Sequence, residues 1–175
     1  MKQSSWLVAL LGAMAMLYAA MPAHAAMPAH AAESAKADKA KNQITAFEHK
    51  CIQAQTTSQS MACFDPSDVA IYDFEPPLEY SGKTAVRKDL ANFFDNAKDI
   101  KGHFTQLQVV SDGTLGVANS IQHFTWTGKD GKPMAATFRV TDCLHKVGGQ
   151  WKIFHSHVSV PVDPATGKAV MDAKM

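Results

Sequence analysis

The C-terminal half of the chain sets the strongest constraint on what it can fold into. "HFTQLQVVS", "LGVANSIQHFTWT", "MAATFRVTDCLHKV" and "QWKIFHSHVSV" are four runs rich in β-branched and aromatic residues, and the turn signals between them are Asp112-Gly113, Asp130-Gly131 and Gly148-Gly149. Such dipeptides reverse a strand tightly, so the runs are expected to pair in order as an antiparallel meander. Upstream the periodicity is helical, with Ile44, Phe47, Cys51 and Ala54 at helix spacing. A short second helix, capped by Thr57 or Ser58, carries Met61, Ala62 and Phe64 before "DPSD" stops it. "VAIYDF" (Val69 to Phe74) reads as a short strand ended by Pro76-Pro77. Gly82 leads into a third helix, with Thr84 as its cap and Val86, Leu90, Phe93, Phe94 and Ala97 on its buried side. Helices first and strands afterwards place the chain in the α+β class: three N-terminal helices packed on a strongly curved, mainly antiparallel sheet.

The N-terminus reads differently. Lys2, the apolar run "WLVALLGAMAMLYAA" and small-x-small sites at Ala23-His24-Ala25 and Ala29-His30-Ala31 form the pattern of a secretory signal peptide. At about 15 residues the run falls short of the roughly 20 that a spanning helix needs. The expected division is a signal peptide over 1–25 (or to 31), a frayed helix or flexible tether over 26–42, one domain over 43–163 and a tail over 164–175. A periplasmic or secreted protein follows, with no membrane association after cleavage. The doubled "MPAHAA" is taken as a duplicated cleavage site in preference to a metal tract.

Charge narrows the partners. Seventeen basic side chains face 16 acidic ones without any Lys/Arg cluster, which argues against nucleic acid. In an oxidising compartment Cys51 and Cys63, on adjacent helical stretches, are the sensible disulfide pair; three small buried thiols are the alternative. The chain has no C-x-x-C motif to support thiol redox catalysis.

Strand alternation assigns faces. A hairpin centred on Gly148-Gly149 sets Lys146 opposite Trp151 and Asp142 opposite His155. Val140, Asp142, Leu144, Trp151, Ile153, His155 and His157 are then expected on one face, with Arg139, Thr141, Cys143, Phe154, Ser156 and Val158 on the other. A turn centred on Asp130-Gly131 extends the first face to Asn119, Ile121 and His123. Asp73 alternates with Val69 and Ile71, so its carboxyl is expected in apolar surroundings that raise its pKa toward useful proton-transfer values. The blander role for Asp73 is a strand-end group that binds loop amides, and for Asp142 a partner of His155 within the sheet. Tyr72 and Trp151 are expected to line the site. His155 and His157 could take a zinc ion with His123 as third ligand, but no Cys or Glu cluster completes the set and no metal is expected.

"MACFDPSDVAIYDFEPPLEYSGKTAVRKDLANFF" followed by "FRVTDCLHKVGGQWKIFHSHVSVPVD" resembles the SnoaL-like branch of the nuclear transport factor 2-like superfamily. That superfamily includes ketosteroid isomerase and the association domain of calcium/calmodulin-dependent kinase II, whose Gly-x-Trp…His-x-His-x-Ser signature matches Gly149, Trp151, His155, His157 and Ser159. The resemblance implies a cone-shaped α+β barrel with a pocket between sheet and helices, and a homodimer formed through the sheet. Asp73 stands eight residues before Ser81-Gly82, as the general base of ketosteroid isomerase does. Asp142 falls where that enzyme has its oxyanion-stabilising Asp, and His49 where it has a Tyr. The resemblance therefore implies cofactor-independent proton transfer on a small apolar carbonyl compound, as in an isomerase, cyclase or dehydratase, with Asp73 as base and Asp142 catalytic; His155, or else His157, is expected from its face to help polarise the carbonyl. A non-catalytic ligand-binding or oligomerisation module is the alternative.

Overall fold

The computed structural model describes residues 27–174, so the segment read as a signal peptide over 1–25 lies outside the described residues. Helix α1 runs over Met27–Cys51, α2 over Thr57–Met61 and α3 over Gly82–Asn96. The strands are β1 (Ala70–Tyr72), β2 (Tyr80–Ser81), β3 (Ala97–Ser111), β4 (Leu115–Gly128), β5 (Pro133–Val147) and β6 (Gln150–Ser159). They form one curved, unclosed sheet in the order β2-β1-β6-β5-β4-β3. Every pairing is antiparallel except β1 with β6. This is the α+β arrangement expected from the order of elements, with the cone shape that the family resemblance implied.

Helix α1 starts before Ile44, and the Ala/Lys-rich segment read as frayed helix or tether is helical from Met27. Its residues are strong helix formers, and Ala40 and Ile44 are fully packed against the sheet. Helix α2 is capped one residue earlier than expected, by Thr56, whose hydroxyl accepts from the Gln59 amide. Helix α3 begins at Gly82 behind Ser81, two residues before Thr84.

The main core joins α1 to the sheet through Ala40, Ile44, Val109, Ala118, Leu144, Trp151 and Ile153. A smaller one gathers Met61, Val69, Ile71 and Val86. Two glycines let α1 approach this closely. A Cβ on Gly116 would collide with Ile44, and one on Gly102 would lie 2.6 Å from Phe124 and 2.8 Å from Ile52. A disulfide joins Cys51, at the end of α1, to Cys63 beyond α2. The Cys63–Asp65 segment then clips to β6, with the Ile153 amide donating to the Cys63 carbonyl and the Asp65 amide to that of Ile153.

Candidate functional site

Two irregularities decide which side chains look into the cone. Lys146 pairs with Trp151 and Leu144 with Ile153, but Cys143 then pairs with His155, because Phe154 is an extra residue in β6. A bulge shifts the register by one, and a one-residue shift moves every later side chain to the other face. Asp142 therefore stands opposite Ser156, and Thr141 opposite His157. The second irregularity is the β4–β5 turn. Thr127 pairs with Pro133 around a five-residue loop centred on Asp130 alone, so Ala118, not Asn119, stands opposite Asp142.

The expected site set divides accordingly. His155, His157, Asn119 and His123 lie on the outer face of the sheet, contrary to the expectation from unbroken alternation. Thr141 donates to the Asn119 side-chain oxygen at 3.0 Å, and His123 Nδ1 meets the Thr137 hydroxyl at 3.0 Å. Tyr72 is on the same outer face, 44 % exposed, with its ring 4.7 Å from that of His155. Trp151 is buried inside and donates its indole N–H to Gln43 at 3.1 Å. His49 is exposed on α1 and edges the Phe104 ring; the neighbouring Glu48 faces inward instead. Among the described residues, no group of three or more His, Cys, Asp or Glu side chains could hold a metal ion.

Inside the cone, register aligns a row across the sheet: Ile71, Ser156, Asp142, Ala118 and Val109. Asp142 is fully buried in this row. Burial pushes its carboxyl up to about 6, against the pull of the Ser156 hydrogen bond. Above it passes α1, whose inward stripe is Ile44, Glu48 and Ile52 at successive helical turns. Ile44 rests on Gly116 and Ile52 on Gly102 and Phe124, so Glu48 sits between them over the middle of β4. It is 3 % exposed, and its Oε1 has no hydrogen-bond partner. Burial first, and the Asp142 charge second, raise Glu48 well above the usual carboxylate range. Ser120 and Gln122, joined by a 3.0 Å hydrogen bond, continue the polar strip along β4.

A second acidic pair stands nearer the rim. Asp73, one residue beyond β1, is pushed up to about 7 by burial and then by the charge of Asp89 on α3, against the 2.6 Å hydrogen bond from the Phe74 amide. Asp89 is itself raised, again chiefly by burial. The Tyr80 hydroxyl lies beside this pair and donates to the Pro76 carbonyl at 3.0 Å. With strands about 4.8 Å apart and a rise of about 3.3 Å per residue, the Asp73 and Asp142 backbones are roughly 12 Å apart. Aromatic rings stand along the same wall: Phe74 is 4.9 Å from Phe138, Phe138 is 6.1 Å from Phe124, and Phe93 is 5.7 Å from Trp126.

Glu48, Asp89, Tyr80 and Ser156 had not been singled out from the sequence. Two left a signal: Glu48 is four residues from both Ile44 and Ile52, and Asp89 lies three beyond Val86 on the stripe that packs α3. Tyr80 and Ser156 left none, since one depends on a two-residue strand and the other on the bulge.

A separate carboxylate holds the loop before β1. Asp65 is buried and meets His145 at 2.5 Å. Burial works to raise it, but hydrogen bonds from the Ser67 amide and hydroxyl, from His145 and from the Asp68 amide hold it well below the usual carboxylate range. This is a structural tie on the far side of the sheet edge.

Known folds match this architecture. An NTF2-like protein of unknown function from Pseudomonas putida KT2440 is 24% identical, with a TM-score of 0.69 over 79% of this chain and 98% of that one. An NTF2-like superfamily protein from Salmonella enterica is 18% identical, with a TM-score of 0.65 over 76% and 99%. A ketosteroid isomerase-like protein from Erwinia carotovora is 16% identical, with a TM-score of 0.60 over 70% and 96%. At these identities the likeness establishes the fold alone. No curated protein matches the chain. The SnoaL-like domain matches residues 42–163, so the chain belongs to the SnoaL-like family, on the NTF2-like fold.

Proposed function

We propose that this is a periplasmic or secreted small-molecule-pocket protein that transfers a proton on a small, largely apolar carbonyl compound without a cofactor. The observation that carries this reading is Asp73. It is a half-buried carboxylate at about 7, so it is partly ionised at neutral pH and able both to take and to return a proton. Burial first and the Asp89 charge second hold it there, and the aromatic wall supplies apolar surroundings for a ligand. Asp142, deeper on the same face, marks the polar end of the interior toward which a carbonyl oxygen would be directed. His155, proposed from the sequence as a third catalytic group, has no part in this reading because it lies outside the cone. Export is supported by the N-terminal pattern and by the Cys51–Cys63 bond, since disulfides persist in oxidising compartments.

Native mass spectrometry of the mature protein from its own compartment identifies a retained ligand. Turnover of that compound is then compared between wild type and Asp73→Asn. A loss of about 10²- to 10⁴-fold is expected, with no fall in melting temperature. Full activity in Asp73→Asn would remove Asp73 from the mechanism.

A specific observation also favours assembly through the sheet. The outer face carries an open groove of about 510 Å³ lined by residues including Gln106, Asn119, Ile121, Arg139, Thr141 and His157. The same face leaves Val110 and Leu115 64 % and 54 % exposed around the β3–β4 turn, with Tyr72 exposed toward the opposite edge of the sheet. Apolar side chains gathered on one face mark a surface that a partner covers. A homodimer through this face is compatible with catalysis inside each cone.

A further inference from the structure

The interior pair Glu48–Asp142 is left with an imbalance. Two buried carboxylates close enough to feel each other's charge resist ionising together, so the pair retains a proton at neutral pH. Its location follows from the hydrogen bonds. Asp142 receives the Ser156 hydroxyl, which favours its charged form. Glu48 Oε1 is buried and receives nothing, so a charge there would be uncompensated. The proton therefore rests on Glu48, on a helix stripe pinned at both ends by the Ile44–Gly116 and Ile52–Gly102 contacts. A buried carboxylic acid oxygen with no partner is unusual in a folded protein and calls for an occupant.

We propose that Glu48 is a neutral acid inside the cone, and that its partnerless end is the hydrogen-bond donor to the oxygen of a bound carbonyl or hydroxyl compound. Asp142 and Ser156 are then positioning residues that keep the proton on Glu48. This deepens the proton-transfer reading and rests on it for the class of ligand, but concerns a residue which that reading did not use. The ligand oxygen is a neutral acceptor. A cationic group has no lone pair to accept the Glu48 proton, and the charge on Asp142 together with the aromatic lining disfavours an anion.

Infrared spectroscopy of the full mature protein, with carbon-13 in its glutamate carboxyls alone, reads the Glu48 protonation directly. At pH 7 a protonated carboxylic acid band is expected in wild type and in Asp73→Asn, and is lost in Glu48→Gln. Acetophenone at millimolar concentration, a neutral ketone with one aromatic ring, is expected to shift that band saturably. In Glu48→Leu, which keeps the volume and removes the donor, its affinity should fall at least about tenfold, one good hydrogen bond's worth. Glu48→Gln, which still donates, should recover part of that loss. A wild-type spectrum without the acid band overturns the proposal. So does a band that acetophenone leaves unmoved, or equal affinity in Glu48→Leu. Because no turnover is measured, loss of the Asp73 mechanism would leave these results intact, and their failure would not touch Asp73.

Discussion

Asp73 shows how far one residue's chemistry can be read from its neighbours in sequence. Alternation with Val69 and Ile71 places it on an apolar face, and the structure puts its carboxyl at about 7. The partner that helps to raise it, Asp89, comes from a helix and enters only through the tertiary fold. A thermodynamic consequence follows from the sign of the shift. The folded value lies above the unfolded one, near 3.9, so the native state gains from keeping the proton and loses stability as pH rises toward 7. Asp73→Asn is free of that loss. Its stability relative to wild type should therefore be greater at pH 8 than at pH 5, by about 1–2 kcal/mol after discounting for the solvent-exposed part of the side chain. Urea unfolding at the two pH values checks this, and a difference independent of pH would contradict the raised carboxyl. His155 and His157 teach the opposite lesson. Their spacing is plain in the sequence, but their face is set by Phe154, one extra residue that alternation does not announce.

At the scale of elements, α1 is held to the sheet at three places: Ile44 on Gly116, Ile52 on Gly102, and the Cys51–Cys63 bond. The first two are packing contacts that admit no extra carbon. Gly102→Val is expected to destabilise the fold by about 1–3 kcal/mol, the usual cost of overpacking, although valine favours strands. The disulfide closes a 12-residue separation and anchors the segment that leads through Asp65 to β1. Replacing both cysteines with alanine should cost about 2–4 kcal/mol, read as a lower urea midpoint. Unchanged midpoints in either variant would mean that α1 is held elsewhere. These elements were legible in outline. Helical spacing from Ile44 and the turn dipeptides of the meander specified which segments are helix and strand. Their ends were less legible, because residues 27–42 carry no apolar stripe and α1 extends through them on propensity and the contact of Ala40.

For the whole molecule, the curved sheet has two faces with different work. The inner face holds the two acid pairs and the aromatic wall; the outer face holds the histidines, Arg139 and the exposed Val110 and Leu115. The proposed homodimer uses the outer face. Light scattering at micromolar concentration should give twice the chain mass for wild type, and half that value for Ile121→Glu combined with Arg139→Glu. A wild-type monomer would remove the dimer, and a dimeric variant would move it to another surface. The sequence by itself determined the α+β class, the order of the elements apart from the two-residue β2, and the antiparallel meander, because hydrophobic period and turn chemistry are local properties. It also placed Asp73 on the inner side, since no irregularity lies between it and Val69. The tertiary structure alone decided which meander residues face the cone, because face assignment is carried across hairpins and each bulge or odd-length loop inverts it. It alone paired Glu48 with Asp142 and Asp73 with Asp89, because burial and proximity between distant segments are what move a carboxyl's proton, and neither is written in local spacing.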